Sequence, residues 1–216
     1  DTSTILTDIS NRYENVDLFH FSQFRSSRLI QNLLSNAVEE EQFERALSIR
    51  KESGFSFWES VMSTYLSGNN ETSDLFIREA LFHNRFDLMF EFQAKRISEI
   101  DEFIQLNNDT NIALLSKTTF EDNSVHHIPM IDFHIPISKS NKKIVVKIVS
   151  QLKLTGYVIE SGNSYHFISQ QLVTLEKLFT FLGELIVYTP IIDRNWISHQ
   201  IVEKCCALRV SRSDKF

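Results

Sequence analysis

The apolar residues of this chain change period close to Asn84, and that change divides what the sequence can fold into. Before it they recur every three or four positions, as on one face of a helix. Phe24, Leu29, Leu33 and Leu34 form one such set from about Gln23 onward. Phe43, Ala46 and Leu47 form a second within 39–53, which ends at Gly54, a natural helix C-terminal cap. Glu39, Glu40 and Glu41 open that helix and suit the positive end of its dipole. Phe57, Trp58, Val61, Met62 and Tyr65 mark a third over 56–66, and Leu75, Phe76, Ala80 and Leu81 a fourth over 73–83 with Ser73 as its cap. Short helices joined by short turns predict a helical bundle or cap over residues 1–84.

Beyond Asn84 strands alternate with helices. Residues 86–92 alternate with period two in their latter part, 97–106 read as a helix, and 111–120 and 127–137 read as strands. A helix over 142–153, a strand or hairpin arm over 157–168, a long amphipathic helix over 171–188, a helix over 196–204 and a strand over 207–211 complete the series. The predicted class is α+β: the helical region 1–84, then a mixed sheet with packed helices over 85–216.

Composition narrows the function classes. Eighteen phenylalanines against five glycines and three prolines favour long regular elements over disordered linkers. A formal net charge of −6 argues against a protein that coats nucleic acid nonspecifically, because such binding rests on cations neutralising phosphates; a local basic groove remains compatible. No apolar run reaches the roughly 18 residues of a membrane span, and the N-terminus lacks a secretory profile, so a cytoplasmic protein is expected. Cys205 and Cys206 are sequence neighbours poorly placed to bridge each other, which suits a reducing compartment.

Three segments carry chemistry-bearing residues. In 131–134, Asp132 and His134 fall on the same strand face and could share a metal ion, though a strand whose polar face meets solvent would look the same. In 161–167, Gly162 allows a tight turn beside Ser161, and Ser164 and His166 share one face where hydroxyl and imidazole could meet an anion; a hairpin with an incidental histidine is the alternative. Asp193 ends the apolar run Ile191-Ile192, either as a further carboxylate for the same metal or as the cap of the following helix. Arg209, Arg212 and Lys215 then follow in a basic C-terminal stretch that suits phosphate contacts or a solvated end.

Taken in this order, the segments resemble the archaeo-eukaryotic primase superfamily, and more narrowly its bacterial primase-like members. The carriers are Asp132-Phe133-His134, Ser161-Gly162-Asn163-Ser164-Tyr165-His166, Ile192-Asp193, and Leu208-Arg209 with Ser211 and Lys215. The resemblance covers 86–216. It implies an RRM-like catalytic core that carries out nucleotidyl transfer in DNA replication, with Mg or Mn as cofactor. It further implies Asp132, His134 and Asp193 as metal-binding catalytic residues, and Ser161, Ser164, His166, Arg209 and Lys215 as contacts to a nucleoside triphosphate. Single-stranded DNA or RNA is the implied template; outside the resemblance, the N-terminal helices could dock a protein partner.

Two departures stand out. His134 occupies the place of a second acidic residue, and Asn163-Ser164 replaces an Arg/Gly pair in the turn. They leave open a primase fold that binds nucleotide without turnover, or a helical adaptor acting through protein contacts. A zinc site from His126, His127, Asp132 and His134 is a further alternative, with irregular spacing and no cysteine nearby.

Overall fold

The computed structural model describes residues 1–24, 34, 37–55, 57–66, 89–107 and 111–211. They belong to two units, one of Asp1–Phe24 with Asn84–Phe216 and one of Arg25–His83. In chain order the elements are α1 (Thr2–Arg12), β1 (Val16–Phe24), α2 (Ala37–Ser53), α3 (Phe57–Leu66), β2 (Met89–Gln93), α4 (Ile100–Leu106), β3 (Asn111–Phe120), β4 (Val125–His127) and β5 (Met130–Phe133). There follow α5 (Lys139–Gln151), β6 (Gly156–Ser161), β7 (Ser164–Ser169), α6 (Leu175–Leu185), α7 (Arg194–Glu203) and β8 (Ala207–Arg209).

The larger unit is built on two antiparallel sheets. In the first, the order is β2-β1-β3-β4, and β8 joins β3 on the edge that β4 also uses. β4 lies opposite 117–119 and β8 opposite 113–115, so the two short strands share one edge end to end. The second sheet has the order β5-β7-β6. One apolar core spans both sheets: Phe19 and Phe21 of β1, Leu114 of β3, Phe133 of β5, Phe167 of β7 and Leu182 of α6 are all nearly fully buried. Burial of each such side chain is worth roughly 1.5–3 kcal/mol, enough in sum to hold two small sheets together.

The class is α+β, as the sequence predicts, but the pairing is antiparallel throughout the described strands rather than mixed. Short connections explain this: β6 and β7 are joined by two residues, which permits only a hairpin, whereas a parallel pair needs a crossover. Gly162 takes φ +62° in that turn, a conformation that favours glycine. At the other end of β6, a Cβ on Gly156 would lie 2.2 Å from the carbonyl oxygen of Ile168, so only glycine fits.

Residues 1–24, expected with the helical region, instead belong to the sheet unit. The sequence hid β1 because it is buried on both faces. Phe19 and Phe21 point one way, while His20 and Ser22, equally buried, point the other. The polar face is made tolerable by partners such as Thr119 Oγ1, 2.8 Å from His20 Nε2. The predicted strand over 127–137 divides into β4 and β5 around Ile128-Pro129, and the predicted long helix over 171–188 is α6 with a 3-10 turn, Ile186–Tyr188.

In the smaller unit, α2 and α3 are joined through Gly54, which takes φ +72° and donates its N–H to the Arg50 carbonyl (3.0 Å). Ala46 and Val61 are its buried centre, with Phe43 and Phe57 rings 5.3 Å apart beside them. The helices expected from Gln23 through Leu34 and over 73–83 lie outside the described residues, apart from Gln23 and Phe24, which end β1, and Leu34.

Candidate functional site

The site forms where the second sheet, the start of α7 and β8 meet. β5 and β7 pair in a register that sets Asp132 opposite His166, and His166 Nε2 stands 3.5 Å from Asp132 Oδ1. Ile192 bridges to Phe133 beside β5, the His134 N–H donates to the Ile191 carbonyl (2.7 Å), and the Asp193 N–H donates to the Asp132 carbonyl (3.1 Å). These backbone bonds bring Asp193 alongside Asp132. On its other side Asp193 caps α7: its Oδ1 accepts from the N–H groups of Asn195 (2.8 Å) and Trp196 (3.1 Å). The two roles that the sequence left as alternatives are thus compatible, because capping engages Oδ1 while Oδ2 turns toward His134, 3.8 Å away.

Arg209 completes the recess. α7 grips the start of β8 twice, through Trp196 Nε1 donating to the Ala207 carbonyl (2.9 Å) and Gln200 Oε1 accepting from the Ala207 N–H (2.8 Å). Two residues on, the Arg209 guanidinium approaches the β6–β7 turn, where a Cβ on Gly162 would lie 3.9 Å from Nη2. A larger residue at 162 would therefore strain the turn, while its Cβ would meet the cation only in ordinary contact. Ser164 lies on the His166 face of β7, one pair nearer the turn, and Ser161 pairs with it across the hairpin.

The turn is anchored to α5 rather than hanging free. The Ile137 N–H donates to the Asn163 carbonyl (3.2 Å). The buried Tyr165 hydroxyl both accepts from the Ser138 N–H and donates to the Ser138 carbonyl, each at 2.9 Å, and Ser138 is itself the N-cap of α5. Neither Tyr165 nor Ser138 was singled out for this role by the sequence; nothing in residue type distinguishes Tyr165 from a strand aromatic packed in the core.

The electrostatics of this cluster are unusual. Burial, reinforced by the neighbouring Asp193 carboxylate and opposed by Arg209, pushes the Asp132 carboxyl up to about 7. Burial, with Arg209 adding to it, pulls the His166 imidazole down to about 4. Near neutral pH His166 is therefore an uncharged imidazole beside a carboxylate that only half ionises. The side chain of Asp132 is still 29% exposed, so a ligand can reach it. His134 is 74% exposed at the rim.

The structure thus gathers Asp132, His134, His166 and Asp193, with Arg209 and the Ser161–Ser164 hairpin end beside them; Lys215 lies outside the described residues. It does not gather the alternative zinc set. His127 is buried with Nδ1 3.1 Å from Ser116 Oγ, and His126 packs on the Phe120 ring at 4.7 Å. Among the described residues no three His, Cys, Asp or Glu side chains are drawn together closely enough to hold a metal ion as they stand.

Comparison with known proteins bears on the same region. A family model described as archaeo-eukaryotic primase 1D-like matches residues 92–215, more than half of the chain and all of the recess. No curated protein and no solved structure matches. The three segments that carry the resemblance fall within the matched span, and the chain belongs to the archaeo-eukaryotic primase-like family.

Proposed function

We propose that the recess between β5, β7 and α7 binds a nucleoside triphosphate with a divalent cation, Mg or Mn, and that the protein is a primase-like nucleotidyltransferase. The observation that carries this reading is the convergence of two carboxylates, Asp132 and Asp193, with a cation, Arg209, close enough to act on Asp132. Two adjacent carboxylates repel each other, and a divalent cation between them reverses that cost. The donor types suit such an ion, with carboxylate oxygens from Asp132 and Asp193 and the exposed His134 imidazole at the rim, and the three would draw closer than they stand to hold it.

When bound, the cation neutralises phosphate charge and favours ionisation of the attacking hydroxyl. The chain's own residues do the rest. Arg209 offers a forked set of N–H donors to phosphate oxygens, and its approach to Gly162 leaves those donors close to the turn. His166, held neutral, presents a hydrogen bond without competing with the cation for charge. Ser164, on the same face, supplies a hydroxyl donor, and Ser161 closes the hairpin that holds it.

A second reading rests on a particular substitution. His134 stands where a further carboxylate would complete a two-cation site, so the recess carries two carboxylates and suits a nucleotide-binding fold that holds one cation without turnover. Primer extension in Mn²⁺ with nucleoside triphosphates separates the two. Incorporation that is lost in Asp132→Asn and in Asp193→Asn, the latter chosen because Asn still caps a helix, supports the transferase. Thermal stabilisation by Mn²⁺ and triphosphate without incorporation supports the binding protein. Neither effect would remove the assignment of the recess.

A further inference from the structure

β8 is three residues long and lies at a sheet edge, yet it carries Arg209. The Cys206 carbonyl accepts from the Ser116 N–H (2.7 Å) and the Val210 N–H donates to the Ile112 carbonyl (2.9 Å). Cys206, Leu208 and Val210 therefore bond toward β3, and the main-chain groups of Ala207 turn away from it. Among the described strands β8 pairs with β3 alone. Three residues of pairing supply few ladder bonds, so whatever meets the outward groups decides how firmly the strand is placed.

Helix α7 stands where a further strand would. Lys204, at φ +56°, ends the helix and turns the chain back beside it. Trp196 Nε1 then meets the Ala207 carbonyl and Gln200 Oε1 meets the Ala207 N–H, from side chains one helical turn apart. Gln200 is buried, and its Nε2 donates to the Trp196 carbonyl (3.0 Å), which fixes the amide with its oxygen toward Ala207. Packing does not require these residue types, because Phe at 196 and Met at 200 would fill nearly the same space. What Trp and Gln add is one donor and one acceptor, matched to the two outward main-chain groups of a single residue. Trp196 also reaches the carboxylates, since its backbone N–H donates to Asp193 Oδ1 (3.1 Å). One residue thus joins the Asp193 cap to the strand that carries Arg209.

We propose that Trp196 and Gln200 are positioning residues for Arg209: they clip β8 to α7 and so hold the guanidinium in fixed relation to Asp193, where it meets the phosphates of a nucleotide whose cation the carboxylates hold. This rests on the nucleotide reading of the recess and adds to it the residues that set its geometry. Neither side chain touches the ligand. A misplacement of about 1 Å in such an arrangement costs on the order of 100-fold in rate, so a clip two residues from the cation has leverage out of proportion to its two hydrogen bonds.

The test is a double-mutant cycle read by calorimetry of a nonhydrolysable nucleoside triphosphate in Mn²⁺, with the 216-residue chain. Arg209→Gln should lower the affinity about tenfold, and Trp196→Phe and Gln200→Met each about threefold or more. Combined with Arg209→Gln, either clip variant should add less than about a twofold further loss, because the residue it serves is gone. Mn²⁺ alone, followed by electron paramagnetic resonance, should bind the parent and both clip variants equally, since the backbone N–H that caps Asp193 is kept. The two variants remove different bonds, so either carries the test if the other fails to fold. Losses that persist in full in the Arg209→Gln background would mark general support of the fold and overturn the clip. Triphosphate binding equal to the parent's in both clip variants, or in Arg209→Gln, overturns the clip and leaves the nucleotide reading standing. A parent that binds no triphosphate overturns both.

Discussion

Asp132 and His166 exchange roles on folding, and the consequence is measurable. In the unfolded chain, between about pH 4 and 6.5, aspartate is ionised and histidine protonated. In the folded protein, with Asp132 raised to about 7 and His166 lowered to about 4, the carboxyl holds the proton and the imidazole has none. Raising Asp132 favours folding below its unfolded value, a contribution lost as pH rises through 7. Lowering His166 favours folding above 6.5, a contribution lost as pH falls through 4. The pair carries one proton in either state, so within this window the two slopes cancel. Single substitutions uncover them. In metal-free protein, Asp132→Asn should gain roughly 1–3 kcal/mol over the parent at pH 8, an advantage that fades toward pH 4. His166→Gln should gain on the parent as pH falls from 6.5 to 4. Urea unfolding at a series of pH values checks both, and parallel profiles for all three proteins would remove the assigned environments.

At the scale of elements, the recess depends on how short strands are tied together. Tyr165→Phe removes both hydrogen bonds to Ser138 and leaves a partly buried N–H without its acceptor, at a cost of about 1–3 kcal/mol by chemical denaturation. It should also weaken triphosphate binding, because it loosens the hold of Ser138 on β7 between Ser164 and His166. Much at this scale was legible in the sequence. β3 begins and ends at Asn111 and Phe120 as its pattern predicts, and the α2 helix stops at Gly54 as its cap does. What was not legible has a common cause: period-two patterns fail where a strand is buried on both faces. His20 and Ser22 look like solvent-facing residues and are not.

At the scale of the molecule, the chain leaves the sheet unit after Phe24 and re-enters it at Asn84. Among the described residues, those that form the apolar core of that unit all come from its own two segments. Replacing 25–83 by a flexible linker should therefore leave a cooperative thermal transition, followed by circular dichroism, with Phe19 and Phe21 still buried; loss of the transition would show that the intervening unit supports the sheets. The sequence offered candidate residues in 131–134, 161–167, 193 and 209, and the fold brings those segments together, because β5 pairs with β7, Asp193 caps the start of α7, and α7 leads into β8, which carries Arg209. Role assignments within it follow from chemistry rather than from position in the chain. The most direct test is electron paramagnetic resonance of Mn²⁺ titrated into the protein with a nonhydrolysable nucleoside triphosphate. Binding is expected in the parent, to weaken with falling pH below about 7 as Asp132 takes up its proton. It should drop at least tenfold in Asp132→Asn and in Asp193→Asn. Equal Mn²⁺ binding in the parent and both variants, or none in the parent, would contradict a metal–triphosphate site between these two carboxylates.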